Sequence, residues 1–299
     1  MNIIRYGGPM SRTRRVGSPI GYSGGAQPAP PIEAFISVWA TTVVDETITI
    51  PTQNIGTFNA VVDWGDTSPL ETITTYNGFS HQYAAIGEHT ISITGTFPNI
   101  YMNNNAADKL KIKRVTNLGT VGWTKFNSAF WGCTNLTEFT VGSTDTSGVN
   151  NMQLMFRECI GLTSLDLSSL NTSLVTNMYA VFNRCYGLTS LNVSFDTSSA
   201  TTMSFMMELC VALTSIVGVE DWDITGLNGT GSLNGFIVAG KMTTAQYDNL
   251  LINWRAQDPF NGMTPSFGAS EYTGGGAAAT ARQDLIDIDG WSISDGGIA

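Results

Sequence analysis

The sequence carries a repeat that its four cysteines mark at intervals of 26, 26 and 25 residues. Each cysteine opens a similar phrase, such as Cys159-Ile-Gly-Leu-Thr-Ser-Leu and Cys185-Tyr-Gly-Leu-Thr-Ser-Leu. A repeat of this length is one structural unit that buries its apolar side chains only by stacking on its neighbours. The spacing therefore predicts a solenoid, and we call each repeat a rung. The complete rungs are centred on Cys133, Cys159, Cys185 and Cys210.

Two periodicities divide each rung. Apolar residues at i, i+3, i+4 and i+7 end on every cysteine, which is the spacing of a stripe on about two helical turns. After the cysteine, alternating apolar residues such as Leu165 and Leu167 indicate a short strand. We therefore predict a strand, a turn and a short helix in each rung, with incomplete rungs at residues 110–115 and 233–240. The four quartets are Phe126, Ala129, Phe130, Cys133; Met152, Met155, Phe156, Cys159; Met178, Val181, Phe182, Cys185; and Met203, Met206, Met207, Cys210.

The repeat has a known counterpart. The phrase Asn171-Thr-Ser-Leu-Val-Thr-Asn-Met-Tyr-Ala-Val-Phe-Asn-Arg-Cys-Tyr-Gly-Leu-Thr-Ser-Leu-Asn-Val resembles the BspA-like leucine-rich repeat of bacterial surface proteins, over about residues 107–242. Proteins with this repeat are described as adhesins, lipoproteins and surface antigens, and some look like phage virion proteins. The resemblance implies an exposed recognition surface and no catalytic residues.

Strands are predicted before the repeats, between about residues 32 and 100. Five β-rich segments with turn signals between them lie at residues 35–39, 47–50, 58–64, 71–74 and 89–93. The segment Val61-Val-Asp63-Trp64-Gly65-Asp66, followed by His81-Gln-Tyr83, resembles the PKD-like β-sandwich.

The C-terminal region is predicted to cover the last rung. A helix is expected over residues 243–254, with Thr243 or Thr244 as its N-cap and Tyr247, Leu250, Leu251 and Trp254 on one face. A second helix should begin near Ala277 and end before Gly290, and residues 291–293 should form a final strand. The predicted fold class is thus β-rich α+β: a PKD-like or Ig-like sandwich (32–100), a leucine-rich-repeat solenoid (101–242) and an α/β cap (243–299).

The first 31 residues are interpreted as a flexible basic arm, because they contain frequent glycines and prolines and show no apolar periodicity. Residues 1–32 contain four arginines and no acid, so that the remainder of a chain of net charge −10 carries −14. An acidic body argues against nucleic acid as the main partner. No apolar run reaches the roughly 18–20 residues of a membrane span. The arm either anchors the protein to an acidic protein surface or is only solvated. The anchor residues would be Arg5, Arg12, Arg14 and Arg15.

The cysteines and two short patterns do not match the motifs of catalytic, metal-binding or phosphate-binding sites. One cysteine per rung fits buried, reduced side chains better than zinc ligands or disulfides. Ser23, in Gly21-Tyr-Ser23-Gly-Gly25, lacks the strand and helix of a nucleophile elbow. The segment from Gly235 to Lys241 resembles a phosphate loop, but Met242 replaces the Ser/Thr that would bind magnesium.

The sandwich supplies the remaining chemical candidates. His81 and His89 have no nucleophile partner in a recognisable motif, so a hydrogen-bonding role is expected. Asp63 and Asp66 either cap a turn or bind calcium. We predict no catalytic residue, no metal and no cofactor.

The binding candidates are polar side chains on the outer side of the repeat strands, which either contact a ligand or are solvated. They are Thr137, Glu138, Thr140, Thr163, Ser164, Asp166, Thr189, Ser190, Asn192, Thr214 and Ser215.

The functional expectation combines a surface-type repeat with an N-terminus that shows no secretory signal. It is a non-enzymatic bacteriophage virion surface protein, a head decoration or tail-fibre component, which binds other virion proteins through its arm in an oligomeric assembly. Its repeat surface would contact a host glycan or protein. The alternative is an adhesin on the bacterial cell surface, and a glycan-active enzyme is the third reading.

Overall fold

The computed structural model describes residues 33–103 and 107–299. The predicted arm, residues 1–31 with its four arginines and Ser23, lies outside the described residues. Residues Ile32–Ala299 form one compact unit with a single apolar core. Its first six strands are β1 (Phe35–Thr41), β2 (Glu46–Thr49), β3 (Asn59–Asp63), β4 (Glu71–Ile73), β5 (Ser80–Tyr83) and β6 (Gly87–Thr96).

Two sheets build the N-terminal region. β4, β3, β6 and β1 lie side by side in that order and pair antiparallel, and β2 pairs antiparallel with β5. Alternation explains the strands: Phe35 and Trp39 point into the core from β1, and Ile91 and Ile93 point into it from β6. The five predicted strands are confirmed, whereas β5 was missed because its polar residues show no apolar alternation.

The large sheet continues into the first rung. β7 (Ile112–Asn117) pairs antiparallel with β1, and β8 (Glu138–Phe139) pairs parallel with β7. The sheet therefore has six strands in the order β4-β3-β6-β1-β7-β8 and joins the N-terminal region to the first rung through backbone hydrogen bonds.

A separate, parallel sheet consists of β9 (Ser164–Asp166), β10 (Ser190–Asn192) and β11 (Ser215–Val217). Leu165 is paired with Leu191, and Leu191 with Ile216. The chain therefore returns to the same position along the strands after every 26 or 25 residues. All three of these side chains are buried, which confirms the strand alternation predicted from the sequence.

The predicted helices in the rungs are wrong. The quartet residues are buried as expected, but the backbone that carries them forms consecutive turns. Within a rung, the Ala129 N–H donates to the carbonyl of Phe126 at 3.1 Å, as in a four-residue turn. Alternate N–H groups instead donate to the following rung, for example Phe130 to the carbonyl of Met155 at 2.8 Å. Backbone hydrogen bonds thus join the rungs on the turn side as well as through the strands.

Left-handed backbone at two positions of each rung makes these turns. The residue five before each cysteine has positive φ: Ser128 (54°), Leu154 (60°), Ala180 (54°) and Phe205 (58°). The residue immediately before each cysteine does too: Gly132 (77°), Glu158 (61°), Arg184 (62°) and Leu209 (60°). Two successive four-residue turns place i, i+3, i+4 and i+7 on the inner side, so the apolar spacing matches that of a helix.

The four cysteines are free and fully buried, as predicted. Three thiols lie 3.0 Å from a carbonyl of the preceding rung: Cys159 with Phe130, Cys185 with Phe156, and Cys210 with Phe182. The phenylalanine rings also stack along the rungs, with centroids 5.6 Å apart for Phe130 and Phe156 and 6.0 Å apart for Phe156 and Phe182. Each rung therefore contacts the next through both backbone and core side chains.

Two helices follow the rungs, and both predictions are confirmed. α1 (Thr244–Arg255) begins at a capping box formed by Thr243 and Gln246, and its buried residues are the four expected ones. α2 (Ala277–Asp287) ends before Gly290. The predicted final strand at residues 291–293 is wrong: β12 (Glu271–Tyr272) and β13 (Gly297–Ile298) pair instead. Trp291 is buried, and its indole N–H donates to the carbonyl of Phe260 at 3.0 Å.

One side chain of helix α1 reaches the outer edge of β11, where the amide of Gln246 donates to the carbonyl of Ile216 at 2.7 Å. Beyond both elements, the amide of Gln257 donates to the carbonyl of Trp222 at 2.8 Å. An uncovered edge strand would be free to pair with another chain. Among the described residues, no helix is long and apolar enough to cross a membrane.

Candidate binding face

The predicted binding residues lie together on the outer side of β8–β11 and the residues flanking these strands, which we call the strand face. Ser190, Asn192 and Ser215 are half-buried and the others are exposed. The parallel register aligns Ser164 with Ser190 and Ser215, and Asp166 with Asn192. Neighbouring strands lie about 4.8 Å apart. The face therefore carries rows of chemically similar groups, one group for each rung.

The threonines of this face stabilise the stack itself. The Thr189 hydroxyl donates to the carbonyl of Thr163 at 2.9 Å, and the Thr214 hydroxyl donates to that of Thr189 at 3.4 Å. Thr137 donates in the same way to Lys113 at 3.4 Å. These hydroxyl protons are engaged by neighbouring rungs, so the row offers a ligand mainly its acceptor lone pairs.

The serine row differs. Within residues 33–103 and 107–299, the hydroxyls of Ser164, Ser190 and Ser215 make no hydrogen bond to the protein. A free hydroxyl can both donate and accept a hydrogen bond. These three side chains are therefore the groups of the face best able to bind a ligand that carries both kinds of partner.

Asp166 is fixed and ionised. Its Oδ1 accepts hydrogen bonds from the Ser168 backbone N–H at 3.1 Å and from the Ser168 hydroxyl at 2.7 Å. These bonds lower the pKa of Asp166, and the nearby amide of Asn192 acts in the same direction. The carboxylate thus lies on the strand face in one orientation, with Oδ1 held by the turn.

Strand pairing stops between β8 and β9. β8 belongs to the six-stranded sheet and β9 to the three-stranded sheet, and no ladder joins these two strands in the described chain. A depression of about 360 Å³ lies at the break, lined by Phe139, Thr140, Val141, Gly142, Asp166, Ser168 and Ser169. A smaller groove of about 200 Å³ crosses β9–β11 over the Ser164, Ser190 and Ser215 row. Asp166 borders both depressions, so that they adjoin.

The histidines lie in the N-terminal region. His81 Nε2 is 2.8 Å from Asp66 Oδ2, and its ring stacks on Trp64. The ring of His89 stacks on Tyr83 with centroids 3.7 Å apart, and its Nε2 lies 2.9 Å from the Thr41 hydroxyl. Both histidines thus have the hydrogen-bonding role expected from the sequence.

The two aspartates of this region cap turns. Asp66 Oδ1 accepts from the Ser68 N–H at 2.8 Å, and Asp63 Oδ1 accepts from the Gly65 N–H at 2.9 Å. The hydrogen bonds from Ser68 lower the pKa of Asp66 to about 2. Among the described residues, no group of three or more His, Cys, Asp or Glu side chains is placed to hold a metal ion. The Asx-turn reading of both residues is therefore the one that the contacts support.

The segment that resembles a phosphate loop is part of the stack. Phe236, Ile237 and Met242 are buried, and the Phe236 carbonyl accepts from the Met207 N–H at 2.9 Å. The carbonyl of Asn234 accepts from the Phe205 N–H at 2.7 Å in the same way. These backbone groups hold a rung in place and do not form an open anion cradle.

Three Asp/Asn-Thr-Ser segments, one at the same bend of each successive rung, were not predicted from the sequence; we call them the corner row. Asp145-Thr-Ser, Asn171-Thr-Ser and Asp196-Thr-Ser each form an Asx turn, whose middle threonine is buried. Thr146 donates to the carbonyl of Asn171 at 3.0 Å, and Thr172 donates to that of Asp196 at 2.8 Å. The recurrence of Asp/Asn-Thr-Ser at the repeat interval was the available signal.

The fold and this face define a β-rich protein with parallel repeat strands and a polar outer surface. Residues 95–232 match the family model described as "Mycoplasma protein of unknown function, DUF285". That family is related to the BspA-like repeats that the sequence resembles. No curated protein and no solved structure matches the chain.

Proposed function

We propose that this chain is a non-enzymatic surface protein of a bacteriophage virion, a head decoration or tail-fibre component that presents the strand face to the host. The observation that carries the proposal is the strand face itself. Its polar groups recur in register on β9–β11 beneath one depression, and a second depression at the break shares Asp166 with the first. Such a surface is suited to bind an extended partner.

The proposal includes an assignment of the two main regions of the fold to known architectures. We regard the rungs as a BspA-like leucine-rich-repeat solenoid, because consecutive repeats pair in parallel and bury the same positions. We regard the N-terminal strands as a PKD-like sandwich, because both sheets contribute buried side chains to one core, Ile48 and Tyr83 from β2 and β5 among them. Repeat stacks commonly provide extended binding surfaces.

One observation favours the virion over the cell surface, since BspA-like repeats resemble those of both adhesins and virion proteins. All four cysteines are free, which suits folding in a reducing compartment such as the cytoplasm in which phage particles assemble. The acidic body and the four arginines of residues 1–31 would let the N-terminal arm dock on an acidic neighbour.

Particle incorporation tests the proposal. The full chain and a variant lacking residues 1–31 would be expressed during phage production, and purified particles would be probed for the protein. We expect the full chain to co-purify with particles, the deletion variant to fold but remain unincorporated, and incorporation to weaken with rising salt. A deletion variant that incorporates normally would transfer the anchoring role to the N-terminal sheets.

The alternative is a bacterial adhesin. It would be supported by the protein co-fractionating with cell envelopes in the absence of phage particles. That result would contradict the virion proposal while leaving the strand face as the binding surface. Turnover of a glycan by the purified protein would instead favour the enzymatic reading.

A further inference from the structure

The C-terminal region continues the stack beyond the last incomplete rung. Ile237 of that rung forms a parallel bridge with Phe267, and Ser266 in turn forms a parallel bridge with Ser294. The segment around Ser294 is therefore the final layer of the stack in the described chain. We call this layer, residues 291–298, the C-terminal edge.

The C-terminal edge is hydrogen-bonded along its inner side. The Ser292 N–H donates to the carbonyl of Met263 at 2.9 Å. Two residues on, the Ser294 N–H donates to the carbonyl of Pro265 at 3.1 Å. Every second N–H group thus bonds to the preceding layer, which is how a strand pairs with a single neighbour.

The outer side of the C-terminal edge is unpaired. Within residues 33–103 and 107–299, the backbone N–H and carbonyl groups of Ile293 and Asp295 have no hydrogen-bond partner. Ser292 and Ser294 beside them are exposed. The edge contains no lysine or proline, which protect many natural edges, and its one carboxylate, Asp295, is paired with Arg282 and 3% exposed. An unprotected row of backbone donors and acceptors is a template for an added strand.

Charge distinguishes between the strands that this chain could add there. Residues 243–299 contain seven acidic residues and two arginines, a net charge of −5. Pairing the C-terminal edges of two copies would bring these like charges together. Residues 1–31 contain four arginines and no acid. Charge complementarity therefore favours the N-terminal arm as the segment that pairs with the edge.

The arm has a suitable sequence and starts from a suitable place. The segment Asn2-Ile3-Ile4-Arg5-Tyr6 contains two β-branched residues and a tyrosine, which are favoured in strands, and no glycine or proline. The arm precedes Glu33, whose carbonyl accepts from the Thr120 N–H at 2.9 Å, ahead of the first complete rung. Its attachment point and the C-terminal edge thus lie at opposite ends of the stack. Extended, 31 residues span at most about 100 Å, which is ample to reach a neighbouring molecule.

We propose that the N-terminal arm of one copy adds as a strand to the C-terminal edge of a second copy, with residues 2–6 bonded to the backbone of Ile293 and Asp295. This inference deepens the proposed function, on which it rests, by naming the partner of the arm as another copy of this chain. The two surfaces differ, so the contact is head-to-tail and repeats from copy to copy into a ring or a filament.

Ile293 allows the backbone contact to be tested apart from the side chain. Ile293→Pro and Ile293→Ala both remove an isoleucine side chain that packs against the core. Proline in addition removes the outward N–H and places its ring where the added strand would lie. That N–H bonds to nothing in the described chain, so proline costs the fold no hydrogen bond. Urea unfolding of both variants checks that they are equally folded.

Analytical ultracentrifugation of the purified full-length protein over a concentration series measures self-association. We expect the wild type and Ile293→Ala to associate, and Ile293→Pro to associate at least about tenfold more weakly, the scale of one or two lost backbone hydrogen bonds. Deletion of residues 1–31 should abolish association, and rising salt should weaken it. A monomer at every concentration, or equal association by the two Ile293 variants, would overturn the inference.

Cross-linking between copies tests the same contact without a proline. Copies carrying Ile4→Cys would be mixed under oxidising conditions with copies carrying Ser294→Cys, since the four native cysteines are buried. We expect a mixed disulfide between the two kinds of copy. Gln283→Cys, at an exposed position of α2 in the same acidic region, is the control and should give little. Equal cross-linking at positions 283 and 294 would show attraction by charge alone and refute strand addition.

Failure of this inference is distinguishable from failure of the proposed function, because self-association is measured without particles. A monomeric protein that still enters particles through its arm would retain the virion role and assign the arm to a different virion protein. A protein that self-associates through Ile293 but is absent from particles would retain the head-to-tail contact and refute the virion proposal.

Discussion

Replacing Phe182 by alanine tests whether the rungs hold together as the core packing implies. The Phe182 side chain is fully buried, and its ring stacks on Phe156 with an angle of 6° between the planes. Its backbone N–H donates to the carbonyl of Met206 at 2.8 Å, and its carbonyl lies 3.0 Å from the Cys210 thiol. Truncation leaves these backbone groups in place, so the variant removes packing alone.

We expect the free energy of unfolding to fall by about 3–5 kcal/mol, the usual range when a buried phenylalanine is replaced by alanine. The lost ring contact with Phe156 contributes about 0.5–1.5 kcal/mol of this. The upper part of the range applies because backbone bonds fix the rungs on both sides and restrict collapse of the cavity. With a urea dependence of about 1–3 kcal/mol/M, the midpoint should fall by at least about 1 M.

Urea denaturation followed by circular dichroism measures this change, and hydrogen exchange locates it. Protection should fall mainly in the rungs next to Phe182, because repeats contact their nearest neighbours. Tyr186→Ala is the control, since that side chain is 43% exposed in the same rung. A loss below about 0.5 kcal/mol for Phe182→Ala would equal a surface substitution and refute the inward orientation of the quartets.

Three further predictions use other contacts. All four thiols should resist a thiol reagent in the native protein and react after denaturation, because burial raises the pKa of Cys133, Cys159 and Cys185; a disulfide between rungs would contradict this. Burial also lowers the pKa of His89, partly offset by Asp66, so the native state binds fewer protons than the unfolded one. The free energy of unfolding should therefore fall as the pH drops from 7 through about 6.5. In denaturation measured as a function of pH, His89→Gln should reduce this fall. Asp66 changes the free energy of unfolding only below about pH 4, so it does not obscure the effect of His89. Gln246→Ala should cost about 1–2 kcal/mol in thermal or urea unfolding, because it removes the side-chain half of the capping box and the hydrogen bond to the Ile216 carbonyl of β11; an unchanged midpoint would show that neither contact stabilises the fold.

The sequence predicted inward and outward positions better than backbone conformation. Helix α1 was found because its cap and its apolar face are both local signals. The quartets were assigned to helices because burial at i, i+3, i+4 and i+7 does not distinguish a helix from two successive four-residue turns. A glycine at each left-handed position would have indicated these turns, but Gly132 is the one glycine among the four residues that precede the cysteines. Glu158, Arg184 and Leu209 adopt the same conformation without that signal.

The sequence predicted which residues line the candidate site, but it did not predict the depression at the break between β8 and β9. Alternation along the strands placed Ser164, Asp166 and Ser190 outward, because this depends only on local geometry. The depression beside Asp166 depends on which strands pair across the stack, and the repeat spacing is 26 residues both where the ladder breaks and where it continues. Periodic sequence therefore carried no sign of the interruption.

The backbone geometry also explains which outer positions can vary while the stack stays constant. Hydrogen bonds between rungs come largely from backbone groups, with close approach at a few positions: a β-carbon on Gly161 would lie 2.7 Å from the carbonyl oxygen of Thr134, and one on Gly187 would lie 2.5 Å from that of Ile160. Side chains there are excluded by the spacing of the rungs. The Ser164 and Ser190 hydroxyls contact no such group, so substitutions at these two positions should leave the stack intact. The outer threonines differ, because the hydroxyls of Thr189 and Thr214 donate to the neighbouring rung and contribute to its stability.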